Sequence, residues 1–193
     1  GSYPSGIDFS LATPRAKTIA CVNFSGVLGE GDAVLATMRD VTSERAMAHE
    51  LSQTKEFLER VIESSVDGIV SADLRGNVVI YNRAAARLFG YEKEEVLGRL
   101  RVDGLYPDGV AKDIMRRIRS IEGGGTGRLE EHRVEMLTKN GEQVPVNLSA
   151  SLVLDGRRPV GTVGIFTDIR ERLAMEASLA QPQRQLQHFH HHH

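Results

Sequence analysis

Hydrophobic and polar residues alternate in short runs near the start of the chain, and this two-residue period is typical of β-strands. The runs are Ile7–Leu11, Thr18–Phe24 and Ala33–Met38, and they are rich in β-branched and aromatic residues. From Ser43 to Ser64 the pattern changes. This stretch contains no glycine or proline and is dominated by alanine, leucine, glutamate, lysine and arginine, so it is predicted to form one helix.

Apolar residues on this helix recur at alternating spacings of four and three. They are Met47, Leu51, Leu58 and Val61, with Thr54 as a polar member of the same seam. A repeat of this kind is typical of a coiled coil. So short a coiled coil is marginal by itself, and we expect the seam to act together with neighbouring domains. The alternative is a helix that packs on its own domain.

A second block of alternating residues begins at Val66. Two strand-like runs, Gly68–Ala72 and Val78–Tyr81, lead into Asn82, a residue suited to cap a helix. Short helices are predicted next, the longest at Val110–Ile121. Three long strands follow, at Leu129–Leu137, Gln143–Leu154 and Val160–Thr167. Because strands and helices are segregated rather than alternating, the sequence predicts an α+β fold with an antiparallel sheet.

A final helix is predicted to begin at Arg170. Pro182 is expected to break it, because proline lacks the amide hydrogen that a position inside a helix donates. We assign residues 170–187 to this helix. Residues 188–193 are mostly histidine and resemble a purification tag, so they are excluded from functional reasoning.

The chain partly repeats itself. Residues 36–42 align with residues 164–170, and each stretch places an aspartate, Asp40 or Asp168, just before a predicted helix. Further upstream, residues 22–25 align with residues 146–149. The repeat predicts a tandem array of one module, in which the first copy is represented only by its last strands. A chance similarity between two strand-rich stretches is the alternative.

Composition and charge exclude several classes of function. With 24 basic and 26 acidic residues the net charge is −2, which does not favour nucleic acid as a partner. The one cysteine, Cys21, allows no disulfide within a chain and suggests a reducing, cytoplasmic location. No apolar run approaches the roughly 20 residues that span a bilayer, so no membrane contact is expected within this piece. No acid, base and nucleophile set is apparent, so no catalytic residue and no enzyme activity are predicted.

Several motifs of the second block occur together and in order. They are Asp67-Gly68-Ile69, Asp73-Leu74-Arg75-Gly76-Asn77, Tyr81-Asn82-Arg83-Ala84-Ala85, Leu88-Phe89-Gly90-Tyr91, Glu95-Val96-Leu97-Gly98-Arg99, Lys139-Asn140-Gly141-Glu142 and Asp168-Ile169-Arg170. As a set they resemble the PAS family in its bacterial sensory-box form. The resemblance covers about Leu58 to Leu179 and, in truncated form, the first strands of the chain.

The resemblance implies a five-stranded antiparallel sheet with short helices on one face, flanked by long linker helices. It implies a complete PAS domain at residues 66–169, a linker helix at 43–65, and the C-terminal strands of a truncated preceding PAS domain at 1–42. PAS domains sense a ligand, a cofactor or a partner and pass strain to flanking helices. We therefore expect a regulatory sensor module of a multidomain signalling protein, such as a histidine kinase or a cyclic-dinucleotide enzyme, with its output domain outside this piece.

The pocket of the family lies between the inner face of the sheet and the short helices. Its candidate lining here is Ile69, Ile80, Leu88, Phe89, Ile114, Ile118, Val134, Leu148 and Ile165. A filled core has the same appearance in a sequence, so that alternative stays open. The candidate signal-transmission residues are Asp40, Asn82, Asp168 and Arg170, although both aspartates also suit a plain capping role at a helix start.

The resemblance also bears on cofactors and partners. The second block has no cysteine for flavin photochemistry and no histidine on the helix predicted at Val110–Ile121 for haem. Absence of any cofactor is therefore favoured, with non-covalent flavin as an alternative, and no metal site is predicted. The alternative functions are a flavin- or haem-bearing redox or gas sensor and a ligand-free dimerisation module. Expected partners are a second copy, through the linker helix and an exposed apolar face of the first three strands, and adjacent PAS and output domains.

Overall fold

A computed structural model of the chain describes residues 5–12, 14–26, 33–119 and 127–189, with side chains as far as residue 180. Four residues of the predicted tag, 190–193, and the last two of the helix predicted at Val110–Ile121 lie outside the described residues. The chain divides into two compact units, Gly1–Arg60 (unit 1) and Val61–His193 (unit 2).

Unit 1 contains a three-stranded antiparallel sheet and most of a long helix. Its elements are β1 (Ile7–Ala12), β2 (Lys17–Gly26), β3 (Val34–Asp40) and α1 (Thr42–Ser64), whose last turn belongs to unit 2. The strand order is β1-β2-β3. Ala20 and Val22 on the central strand are buried, whereas α1 has no buried residue along its 23 positions. The three strands and the helix predicted from the sequence are thus confirmed.

Unit 2 contains a five-stranded antiparallel sheet with helices packed on one face, and the predicted α+β class is confirmed. The strand order is β5-β4-β8-β7-β6. Its elements are β4 (Gly68–Asp73), β5 (Val78–Tyr81), α2 (Arg83–Phe89), α3 (Lys93–Val96), a 3₁₀ helix (Val102–Leu105), α4 (Val110–Arg119), β6 (Arg128–Leu137), β7 (Gln143–Asp155), β8 (Arg158–Asp168) and α5 (Arg170–Phe189).

The core of unit 2 lies between the inner face of the sheet and the helices. On β7 every second side chain points inward, so Val144, Val146 and Leu148 are almost completely buried while their neighbours are partly exposed. Phe166 of β8 meets Phe89 of α2 edge to face, with the ring centroids 5.4 Å apart. These contacts hold the short helices against β7 and β8.

The prediction that Pro182 ends the last helix is wrong, because α5 continues through it to Phe189. Proline removes the amide donor that would bond to the carbonyl of Ser178, and its ring crowds that carbonyl at a cost of about 3 kcal/mol, but the helical conformation continues on both sides of it. Among the described helices, none is both long and apolar enough to cross a membrane.

The two sheets share a register around their last strands. In unit 1 Ala20 pairs with Asp40 and Val22 with Met38, as in unit 2 Val146 pairs with Asp168 and Leu148 with Phe166. The alignment of residues 36–42 with 164–170 agrees with this register. The alignment of residues 22–25 with 146–149 is wrong by two positions, since Val22 corresponds to Leu148. A shift of two residues keeps the same face of a strand, so the hydrophobic pattern alone does not reveal it.

The inner and outer faces of β7 and β8 should differ strongly in their contribution to stability. We expect Leu148→Ala to lower the free energy of unfolding of unit 2 by about 2–5 kcal/mol, because Leu148 is fully buried. Ile165→Ala, which truncates a side chain that is 42% exposed on the outer face, should cost about 1 kcal/mol or less. Urea denaturation of both variants measures this, and equal losses would contradict the assignment of the two faces.

Candidate functional site

A small cavity lies between α4 and the inner face of the sheet. Its volume is about 50 Å³, and its walls include Val70, Tyr106, Ile114, Ile118, Gly164 and Phe166. Pockets for cofactors and drug-sized ligands measure about 300–1,000 Å³. The ring system of a flavin or a haem therefore does not fit among these side chains. The space suits a water molecule or a ligand of a few atoms.

Six of the nine predicted pocket residues lie in the core of unit 2. They are Leu88, Phe89, Ile114, Ile118, Val134 and Leu148. Of these, Ile114 and Ile118 line the cavity, and the other four fill the surrounding core. A ligand-binding role for them stays a prediction.

The placement of the other three, Ile69, Ile80 and Ile165, in this pocket is wrong. Ile69 pairs with Ile165 in the sheet, and both lie on the face opposite to the cavity. Ile80 and Ile165 are 36% and 42% exposed. The error is one residue in each strand, because the inward positions are Val70, Tyr81 and Phe166. In a run of consecutive apolar residues, alternation gives no signal of which one faces inward.

Sequence reasoning also missed residues that shape the cavity. Tyr106 follows the 3₁₀ helix in a stretch with no clear periodicity. Its ring lies near that of Phe166, with the centroids 6.3 Å apart. Gly164 is the second case. A Cβ at this position would lie 2.9 Å from the Phe166 ring, so only glycine leaves room for the aromatic side chain.

The cavity walls carry little chemical reactivity. Tyr106 is the one ionisable residue among them, and burial raises the pKa of its phenol far above neutrality. The phenol therefore stays protonated under ordinary conditions. Within the described residues, no three histidine, cysteine, aspartate or glutamate side chains come together in a way that could hold a metal ion.

Asn82 joins three elements through one buried carboxamide. Its Oδ1 accepts hydrogen bonds from the backbone N–H of Ile69 at 2.8 Å and of Ala85 at 3.0 Å. Its Nδ2 donates to the carbonyl oxygens of Ile62 at 2.9 Å and of Asp67 at 3.0 Å. The side chain is 1% exposed. Because Ile62 lies in the last turn of α1, Asn82 ties that turn to β4 and to the start of α2.

A second joint connects β8 to α5. Oδ1 of Asp168 accepts from the backbone N–H of Arg170 at 3.0 Å, which caps the helix start. The guanidinium of Arg170 also donates to the carboxylate, at 2.7 Å to Oδ2. Partial burial acts to raise the pKa of Asp168, but the hydrogen bonds from Arg170 outweigh it, and the pKa lies below its usual value. Next to this pair, Ile169 is 2% exposed and its N–H donates to the carbonyl of Pro145 at 3.4 Å.

Unit 1 contains the same joint at the start of α1. The N–H of Val41 donates to the carbonyl of Ile19 at 2.9 Å, and Asp40 Oδ1 accepts from the backbone N–H of Thr42 at 3.0 Å. The Thr42 hydroxyl adds two hydrogen bonds, donating to Asp40 and accepting from the N–H of Ile19. The hydrogen bond from this hydroxyl is the main cause that lowers the pKa of Asp40.

The four predicted transmission residues thus fall into three separate places. Asp168 and Arg170 form one joint, Asp40 belongs to the equivalent joint of unit 1, and Asn82 caps α2 and binds the last turn of α1. A role in transmission stays a prediction for each. The sequence indicated the capping roles of Asn82 and the aspartates, but it gave no signal for the bond from Asn82 to Ile62, which lies 20 residues away.

Known proteins share this architecture. Residues 66–171 match the family model described as PAS domain. The crystal structure of the PAS domain of a protein from Colwellia psychrerythraea has a TM-score of 0.53 and 24% identity, over 61% of this chain and 98% of that one. The structure of an RNA-binding light-oxygen-voltage receptor has a TM-score of 0.51 and 16% identity, over 97% of this chain and 82% of that one. At these identities the likeness shows the fold alone.

One curated relative is an uncharacterized protein from Azorhizobium caulinodans. It is 28% identical over 123 residues, which are 62% of this chain and 16% of the relative. The chain therefore spans about a sixth of the length of that protein.

Replacing Asn82 by aspartate should release α1 without removing the cap of α2. A carboxylate can still accept from Ile69 and Ala85, but it cannot donate to Ile62 and Asp67, and it places a charge against their carbonyl oxygens. We expect Asn82→Asp to lower the local stability of residues 61–64 by about 1–3 kcal/mol. Amide hydrogen exchange of these residues, with Ala85 as the internal reference, measures the change. Asn140→Asp, at an exposed hairpin position, is the matched control, and unchanged exchange at 61–64 would contradict the tie.

Proposed function

Because the chain belongs to the PAS domain family, we propose that it is a sensory module that relays a conformational signal between α1 and α5. The match to residues 66–171 supports a sensing role of the kind that this family performs. The module itself is proposed to have no catalytic activity. The output is proposed to come from another domain of a longer cytoplasmic signalling protein, of the histidine kinase or cyclic-dinucleotide enzyme class.

The observation that carries this proposal is a short path of contacts between the two helices. Asn82 binds Ile62 at the end of α1 and Ile69 in β4. Ile69 is paired with Ile165 in the neighbouring strand β8. Three residues later β8 ends at Asp168, which caps α5. In this proposal a displacement passes through the two paired strands between the end of α1 and the start of α5.

The size of the inner cavity supports a colourless signal. At about 50 Å³ the space between α4 and the sheet is too small for flavin or haem, so we propose that the module responds to a small ligand or to contact with a partner. The equivalent joints at Asp40 and Asp168 support the further proposal that unit 1 is the sheet part of a second, preceding PAS domain.

Energetic coupling between Asn82 and Asp168 tests the relay. In a double-mutant cycle of Asn82→Asp and Asp168→Asn, we expect an interaction energy of about 0.5–3 kcal/mol, since both residues act on the same pair of strands. The free energy of unfolding of unit 2, from the most protected amides of β7, is the measured quantity. Asp155→Asn, an equal change at the far end of β7, replaces Asp168→Asn in the control cycle and should be additive. Additivity in both cycles would overturn the proposed relay.

The exposed seam of α1 favours dimerisation as a second candidate function. Met47, Leu51, Leu58 and Val61 are between 49% and 71% exposed, although they form the apolar repeat of a coiled coil. A second copy of the helix would cover them. We therefore propose a homodimer through α1.

Sedimentation equilibrium tests this pairing. The wild-type chain of 21.2 kDa should sediment with about twice that mass, whereas Leu51→Glu combined with Leu58→Glu should give a monomer, since charges are costly in an apolar seam. Ser52→Glu combined with Gln53→Glu, on the same helix but off the seam, should leave the dimer intact. A monomeric wild type, or equal masses for both variants, would contradict the proposal.

A further inference from the structure

A basic groove lies on the surface of unit 2, where the β4–β5 turn faces α4. Its volume is about 800 Å³, within the range of small-molecule sites. Five cationic side chains line it: Arg75, Arg101, Lys112, Arg116 and Arg119. Two carboxylates, Asp73 and Asp103, also line it, so the residues of the basic groove carry a net charge of about +3 at neutral pH.

Much of this positive charge is uncompensated. Lys112 and Arg119 form no ion pair with any described residue, whereas Arg101 approaches Asp103 to 3.6 Å and Arg116 approaches Asp113 to 3.8 Å. Asp73 is already engaged, because its carboxylate accepts from the backbone N–H groups of Arg75 and Asn77 within its own turn. On α4 the residues Lys112, Arg116 and Arg119 follow the spacing of one helical stripe, so their charges converge on the groove.

One cation is held in place before any ligand arrives. Nη1 of Arg101 donates to the carbonyl of Arg75 at 2.5 Å. Gly76, at φ 85°, lies directly beneath this guanidinium, and a Cβ there would be 2.9 Å from Arg101 Nη2. The positive φ favours glycine at position 76, and a Cβ there would displace the guanidinium from this place. Holding the side chain in this way reduces the entropy that binding an anion would cost.

The floor of the groove is apolar, which distinguishes it from an ordinary solvated helix face. Leu74, Val102, Ala111 and Met115 lie among the cations. Three of them, Val102, Ala111 and Met115, together with Thr162, also line the inner cavity. The same side chains thus separate the basic groove from the core space next to Phe166.

We propose that the basic groove binds a small organic anion with an apolar body. The anionic group binds among Arg101, Lys112 and Arg116, and the apolar body lies on Leu74 and Met115. Contact with Met115 reaches the wall of the inner cavity and hence β8, which leads to Asp168. Only this consequence of binding rests on the proposed relay.

Two fluorescent probes with the same apolar body test the proposal on the full chain. 8-Anilinonaphthalene-1-sulfonate carries a negative charge, and N-phenyl-1-naphthylamine is its neutral counterpart. The anionic probe should shift the amide resonances of Gly76, Arg101 and Met115 in ¹⁵N-correlated NMR spectra. Its affinity should fall about tenfold in Lys112→Glu combined with Arg116→Glu, and also as salt screens the groove. The neutral probe should bind both proteins equally.

A matched charge reversal provides the control. Arg157→Glu combined with Arg158→Glu changes the net charge by the same amount in the exposed β7–β8 hairpin, and it should leave the affinity for the anionic probe within about twofold. The proposal is overturned if both double variants weaken binding equally, or if the shifted resonances lie only on the sheet of unit 1. Neither result alters the coupling between Asn82 and Asp168, so the relay and the groove fail independently.

Discussion

The position of the last turn of α1 depends on a single buried carboxamide. All the hydrogen-bonding capacity of Asn82 is used, with its oxygen facing two amide donors and its nitrogen facing two carbonyls. Since the two ends of the group differ, only one orientation satisfies every partner. In a site that is 1% exposed, a broken bond leaves a polar group without water, at a cost of about 1–3 kcal/mol. The helix end, β4 and α2 are thereby each hydrogen-bonded to the same side chain.

The sheet connects the hydrogen bonds of Asn82 to the start of α5. β4 and β8 are paired over six residues, from Gly68 to Asp73, and β8 continues into the capped start of α5. Close packing of the aromatic side chains on the inner face leaves little free volume to absorb a displacement. This continuous pairing from β4 to the start of α5 is the structural basis of the proposed relay.

Most elements of this fold could be predicted from the sequence, because periodicity and turn residues act locally. The strands of both units, the cap at Asn82 and the helix starts after Asp40 and Asp168 all carry such signals. Which face a strand residue takes was predicted less well. In runs such as Ile69-Val70 and Ile165-Phe166 both neighbours are apolar, and only the partners across the sheet decide which one is buried.

The features that bear on binding could not be predicted from the sequence for a related reason. The cavity is small because Tyr106 and Phe166 approach each other from distant parts of the chain. The basic groove brings Arg101, the β4–β5 turn and α4 together. The sequence shows each of these residues as a charged or an aromatic side chain. The volume of a cavity or groove, however, depends on side chains that come together only after folding. Pro182 is a separate case: its local tendency to end a helix was outweighed by the helical residues on either side.

The two aspartate joints differ in one respect that follows from a single residue. In unit 1 the strand opposite the joint offers both a carbonyl and an N–H at Ile19, and Thr42 binds the latter. In unit 2 the equivalent residue is Pro145, which has no N–H to offer, and Ile169 makes the one backbone bond there. At its start α1 is thus held to the opposite strand by two hydrogen bonds, and α5 by one. Loss of the bond between Ile169 and Pro145 would break the one backbone bond of this joint, whereas the equivalent loss at Val41 would leave α1 bound to Ile19 through Thr42.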